Sequence, residues 1–244
     1  MLFVSLTFLF LFLPLVLGVG NSIAAESKAK NYSDMRLFDF IYMALAGWST
    51  VCLLCLYQPF MMVWLGRDMM FGTSVVVVIC AYFYILKSGD IRWVYHEGAG
   101  LWYECRFIMI GEAVVNIILN VLLCKIWGVL GIILATVLSV FVTNNLFCPQ
   151  VLFRCYFKNG KLKEYLTDHL SYTLTMLVTA GASRFLCDRM FPMCAEMKRM
   201  GYIIILAGRL TVCSVLSVFI FWIIWHRSKR YDDSLRWIQK LRKA

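Results

Sequence analysis

The stretch Phe107-Ile-Met-Ile-Gly-Glu112-Ala-Val-Val-Asn116-Ile-Ile-Leu-Asn120-Val-Leu-Leu-Cys124 holds one charge in 18 residues, and Lys125-Ile-Trp127-Gly128 closes it before a second apolar run begins at Val129. At 1.5 Å per residue it is about 27 Å long, close to the hydrocarbon thickness of a bilayer. Backbone N–H and C=O groups in hydrocarbon must bond internally, and the run lacks the polar alternation of a barrel strand, so it is predicted to be a helix. Gly128 and Gly131, beside Trp127 at the interface, predict a tight outer turn that joins this helix to the next as an antiparallel hairpin.

Outward from this hairpin, six further segments have the length to cross a bilayer, at about 2–20, 40–65, 71–87, 129–153, 166–186 and 201–225. They predict an all-α fold, a polytopic membrane helical bundle of about seven transmembrane helices over residues 1–226, with a basic tail at 227–244. Composition agrees: of 244 residues, 61% are hydrophobic and 16% charged, against about 45–50% and 25% in soluble domains. A soluble enzyme is excluded, and little chain is left for a water-soluble domain. Segment 71–87 is short, so it is expected to stand nearly upright, with Tyr82, Phe83 and Tyr84 as its aromatic rim. Segment 2–20 also suits a signal peptide, with Ser22, Ala24 and Ala25 as small residues near a cleavage point. No Lys or Arg precedes it, which favours a span.

The formal charge of +10 reports orientation. Of 24 Lys and Arg residues, 17 fall on one side, in the segments 28–36, 87–106, 154–163 and 227–243, and six fall on the other, at 67, 125 and 184–199. The positive-inside rule makes the first side cytoplasmic, so the chain is expected in the cell membrane with its N-terminus outside and its C-terminus inside, and with no nucleic-acid partner. In the tail, charges alternate with Tyr231, Leu235, Trp237, Ile238 and Leu241. This suits either an amphipathic helix on the anionic inner leaflet or a solvated anchor.

Catalytic and metal motifs are not expected. Cys52-Leu-Leu-Cys55 has the spacing of a redox or zinc pair, but it sits in mid-span with no second pair or His nearby in sequence, and the other apolar-run cysteines read as small hydrophobes. Cys187 and Cys194 share the outer loop and are taken as free thiols. His96, His169 and His226 are placed at membrane edges. Gly98-Ala-Gly100 leads into a helix without the preceding strand or third glycine of a nucleotide fingerprint, so neither a cofactor nor a metal is expected.

Polar residues inside spans are functional candidates by default. Glu112, Asn116 and Asn120 recur every four residues and share one helix face. Such a face is expected either to pack on another helix, through bonds worth about 1 kcal/mol each, or to line a watery cavity. Arg209, embedded in the last span, is expected either to snorkel or pack, or to present its charge to an anionic substrate. Asn144 and Asn145, ahead of Pro149, mark an expected bend.

Several stretches carry a family resemblance: Gly98-Ala-Gly-Leu-Trp-Tyr-Glu-Cys-Arg106, Glu112-Ala-Val-Val-Asn116-Ile-Ile-Leu-Asn120 and Lys125-Ile-Trp-Gly-Val-Leu-Gly131-Ile-Ile-Leu-Ala-Thr136. With Gly20-Asn-Ser-Ile-Ala-Ala-Glu-Ser27 and Gln58-Pro-Phe-Met-Met-Val-Trp-Leu-Gly66, they resemble the late portion of bacterial oligosaccharide flippases. These form the polysaccharide-exporter branch of the superfamily that also contains MATE-type multidrug exporters. The resemblance reaches about Leu166, and the last two helices match only in hydropathy. It implies a transporter of twelve to fourteen helices in two bundles, of which this chain is similar to the last seven of fourteen. The first bundle would belong to a longer gene product or to a separate N-terminal half. An N-outside start agrees with a cut before an outside-to-inside helix.

The activity implied is movement of an undecaprenyl-pyrophosphate-linked oligosaccharide from the inner to the outer leaflet of the lipid bilayer by alternating access. Capsule, O-antigen or teichoic-type assembly would consume it, alongside other polysaccharide-assembly proteins. Glu112, Asn116 and Asn120 could serve the sugar, and Arg106 or Arg209 the pyrophosphate. A multidrug or ion-coupled exporter of the same superfamily is the nearest alternative. A membrane glycosyltransferase or polymerase would need catalytic carboxylates, for which the outer loops offer Asp188 and Glu196, and the chain is not expected to be an enzyme.

Overall fold

A computed structural model describes residues 20–67, 70–158, 161–193 and 199–243. Among these residues there is no strand. The helices are α1 (Lys28–Trp64), α2 (Thr73–Lys87), α3 (Asp90–Gly98), α4 (Trp102–Trp127), α5 (Val129–Val140), α6 (Cys148–Leu152), α7 (Leu162–Met190), α8 (Arg199–Trp225) and α9 (Lys229–Lys243). Two π-helical segments, Phe141–Phe147 and Phe153–Phe157, flank α6. Among the described residues, five stretches are long and apolar enough to cross a membrane, namely Lys28–Trp64, Thr73–Gly98, Trp102–Trp127, Val129–Phe157 and Arg199–Trp225. The fold is therefore an all-α, multi-pass membrane bundle.

Of the seven segments expected to span, 2–20 lies outside the described residues. Segment 166–186 forms α7, which is long enough but is not one of the five, because Asp168, His169, Arg184 and a series of Ser and Thr residues dilute its hydropathy. Its faces are nonetheless sorted for lipid. Asp168, Thr175, Thr179 and Ser183 are buried, whereas Leu170, Leu174, Leu177, Val178 and Phe185 are exposed. That is the inverse of a helix in water. The hydroxyls of Thr173, Thr175 and Thr179 each donate to the carbonyl four residues back at 2.8 Å, which keeps those polar groups bonded inside the helix. None of the most apolar 18-residue window of α4 is buried, an apolar surface compatible with bilayer contact.

Contacts divide the chain into two compact units, with boundaries inside α1, α2 and α7: residues up to 42 with 85–167, and residues 43–84 with 168 onward. The first unit has an aromatic core of Tyr32, Tyr95, Phe153, Phe157 and Tyr165 around Met35 and Leu152. On its surface Arg36 pairs with Glu164. The second unit is built around Val51, Cys55, Ala180, Cys187 and Cys213.

The expected hairpin is formed by α4 and α5. Gly128 takes φ 56°, ψ −131° and donates its N–H to Cys124 O at 2.9 Å. A Cβ on Gly131 would stand 2.1 Å from Leu123 O, so the two backbones approach as closely as glycine allows. Around Asn144 and Asn145, where a bend is expected, the α-helix gives way to π-helix. The Cys148 N–H bonds Thr143 O, five residues back, and Pro149 follows with no N–H to restore the α ladder.

Helix α2 ends at Lys87 as expected, and after a break at Ser88 and Gly89 the chain continues as α3, the two together forming the span-length stretch Thr73–Gly98. On α3, Arg92 is 1% exposed and His96 2% exposed. The residues are four apart, share one face of α3, and are accepted by Tyr165 and by the Cys148 carbonyl respectively. The basic tail is helical as α9, and Arg230 docks it on α7 by pairing with Asp168 and donating to the Tyr172 hydroxyl at 3.1 Å.

Candidate functional site: the polar face of α4

Within the first unit, the Glu112–Asn116–Asn120 face turns toward the chain that follows it. Asn116 Nδ2 donates to Ser139 Oγ at 2.9 Å, and Ser139 Oγ donates to Thr136 O at 3.1 Å. The Asn120 amide donates to Asn116 Oδ1, and the Thr143 hydroxyl, on the first π-helical segment, donates to Glu112. Bonding across a hairpin and lining a cavity both occur here. Glu112 and Asn116 line a cavity of about 470 Å³ with Trp93, Asn144 and an apolar wall that includes Leu86, Met109 and Val140. Asn120 is outside that lining.

The π-helical segment matters to this geometry because its wider turn changes which residues face inward. Asn144 is buried and accepts the Trp93 indole N–H at 2.8 Å, while Asn145 accepts the Ser88 hydroxyl at 3.0 Å. Next to Trp93 on α3, Arg92 donates through Nη1 to the Tyr165 hydroxyl at 3.1 Å. Its Nε and Nη2 are buried with no hydrogen-bond partner. Gly89 makes room for this guanidinium, since a Cβ there would lie 2.9 Å from Nη2. His96 Nε2 lies 3.0 Å from Cys148 O, and its Nδ1 lies 3.5 Å from the Cys105 thiol.

Neither of the two other sequence candidates is among the residues that line this cavity. Arg106 stacks over the rings of Tyr103 and Phe107, at 3.2 and 4.5 Å from their centroids, and donates to Tyr103 O at 3.2 Å. Arg209 belongs to the second unit and is 2% exposed. It pairs with Asp188 at 3.1 Å, donates twice to Phe191 O at 2.8 and 3.2 Å, and donates to Cys55 O at 3.1 Å. Cys55 is four residues before Pro59, whose missing N–H leaves that carbonyl without its helical donor. Arg209 supplies the donor.

No protein-family model, curated protein or solved structure matches the chain. The residues that sequence reasoning missed are Arg92, His96 and Tyr165. The four-residue spacing of Arg92 and His96 was a usable signal for one helix face. Their partners, 52 and 73 residues further along the chain, carry no local mark.

Proposed function

We propose that this chain is a bundle of a membrane transporter that moves lipid-linked oligosaccharide, carried on undecaprenyl pyrophosphate, across the cell membrane for surface polysaccharide assembly. The observation that carries this reading is the cavity where Glu112 and Asn116 stand with Trp93 and Asn144 inside apolar spans. Amide and carboxylate groups match sugar hydroxyls, an indole offers a flat apolar face to a sugar ring, and polar groups at this depth are costly unless used. The family resemblance of the same stretch supports it.

The lipid tail can remain in the bilayer, so only the sugar and the pyrophosphate need the protein. For the pyrophosphate, Arg92 is a better candidate than Arg209. Two nitrogens of Arg92 have no protein partner, whereas the guanidinium of Arg209 bonds to Asp188 and to two carbonyls. The first bundle that the resemblance implies would complete the path. Orientation, N-terminus outside and C-terminus cytoplasmic, rests on the loop charges.

The test is complementation of a flippase-deficient bacterium with the chain and a first-bundle partner, read as surface polysaccharide. Asn116→Leu and Arg92→Gln should each lower export tenfold or more at unchanged protein level. Export equal to the unsubstituted chain in both variants would overturn the reading.

A further inference from the structure

Three thiols from three helices meet in the core of the second unit. Cys55 of α1, Cys187 of α7 and Cys213 of α8 are all fully buried, and their sulfurs all lie within 4.8 Å of one another. Cys187 and Cys213 are 3.8 Å apart, sulfur to sulfur. Cys52, one turn before Cys55 on α1, packs against the same group. The Cys-Leu-Leu-Cys pair, which in sequence lacks a second pair, is met here by two cysteines more than 130 residues away.

Distance and charge are both compatible with a bound cation. Two thiolates on one tetrahedral zinc, at about 2.3 Å each, stand about 3.8 Å apart, whereas a disulfide requires about 2.05 Å. The surroundings also carry charge. Arg184 and Arg209 both pair with Asp188, at 2.8 and 3.1 Å, and both reach carbonyls within the Cys-Leu-Leu-Cys turn. Arg209 donates to Cys55 O at 3.1 Å and Arg184 to Leu54 O at 3.5 Å. Two guanidiniums and one carboxylate leave one positive charge beside the thiols. A divalent ion on three thiolates carries one negative charge, which the buried Arg209 guanidinium offsets, while Arg184 and Asp188, 34% and 47% exposed, pair with each other at the rim. A monovalent ion on three thiolates would leave a negative surplus.

We propose that Cys55, Cys187 and Cys213 form a buried three-thiolate site for a thiophilic metal ion, zinc(II) in preference to copper(I), with Cys52 available for the fourth position as a neutral thiol. The ion joins α1, α7 and α8, helices distant in sequence, and so acts as a structural staple within the unit. The site is independent of the transport reading.

The full chain, purified in detergent with reductant and then desalted, tests this. Elemental analysis should find stoichiometric zinc, and X-ray absorption should show a shell of three or four sulfurs at about 2.3 Å. Cys55→Ser and Cys187→Ser should each lower the bound metal tenfold or more, while Cys80→Ser, a buried thiol of the same unit outside the cluster, should retain it. Copper in a sulfur-only shell would support the site and correct the metal. Three results overturn the proposal: metal no higher than in Cys55→Ser, a shell of nitrogen or oxygen ligands, or a Cys187–Cys213 disulfide in protein isolated with its thiols blocked. The absorption spectrum is taken on the unsubstituted chain, so the decision does not depend on whether a variant folds.

Discussion

Arg209 shows how a single side chain can be legible in sequence as important without its role being legible. An embedded arginine announces itself by its cost in hydrocarbon. That it pairs with Asp188 and serves the carbonyl freed by Pro59 depends on two other helices and could not be read from α8 alone. Removing it leaves Asp188 without this partner and strands buried carbonyls, so Arg209→Ala should destabilise the second unit by about 3 kcal/mol, measured as a lowered thermal midpoint in detergent. Arg209→Lys should recover only part of this, because an ammonium cannot reproduce the guanidinium's fork of donors. Glu164 gives a pH-dependent counterpart. Burial pushes its carboxyl up, but Arg36, the Tyr32 hydroxyl and Lys161 outweigh this and hold it below the ordinary range. A depressed folded value stabilises the protein above the unfolded carboxylate value, about 4.3, and that contribution is lost as pH falls through the lower folded value. Thermal midpoints should therefore drop below about pH 4.3, and less steeply in Glu164→Gln.

Among elements, the α4–α5 hairpin was the most legible because its signals are local: apolar length, an interfacial tryptophan and two glycines. Its turn is also the most sensitive to small change. Gly131→Ala would drive a Cβ into the Leu123 carbonyl, a backbone atom that cannot rotate away. It should destabilise the hairpin by roughly 2 kcal/mol or more, seen as a lower yield of folded protein and a lower thermal midpoint. Helix α7 was less legible. Its average polarity hides it from a hydropathy reading, and only the burial pattern reveals polar residues inside and leucines outside. The π-helical segments were not legible as such, since an i to i−5 ladder leaves no compositional mark beyond Pro149 and its preceding asparagines. Asn116→Leu removes two bonds, the one donated to Ser139 and the one accepted from Asn120, and should cost about 2 kcal/mol of stability. A much larger loss of transport than of stability would then place Asn116 in the path.

For the molecule as a whole, apolar length and charge distribution settle that this is a multi-pass helical membrane protein, and the charge count adds a testable orientation. A reporter fused after residue 243 should be active in the cytoplasm and silent outside. The division into two units was not legible, because it arises from long-range pairings such as Arg36 with Glu164 and Arg209 with Asp188. The most direct measurement is flipping of a fluorescent lipid-linked oligosaccharide in proteoliposomes that hold the full chain together with a first-bundle partner. The account predicts movement that Asn116→Leu abolishes while stability falls by only about 2 kcal/mol, the worth of two lost hydrogen bonds. Movement that is insensitive to Asn116→Leu, or no movement in the complete assembly, would contradict it.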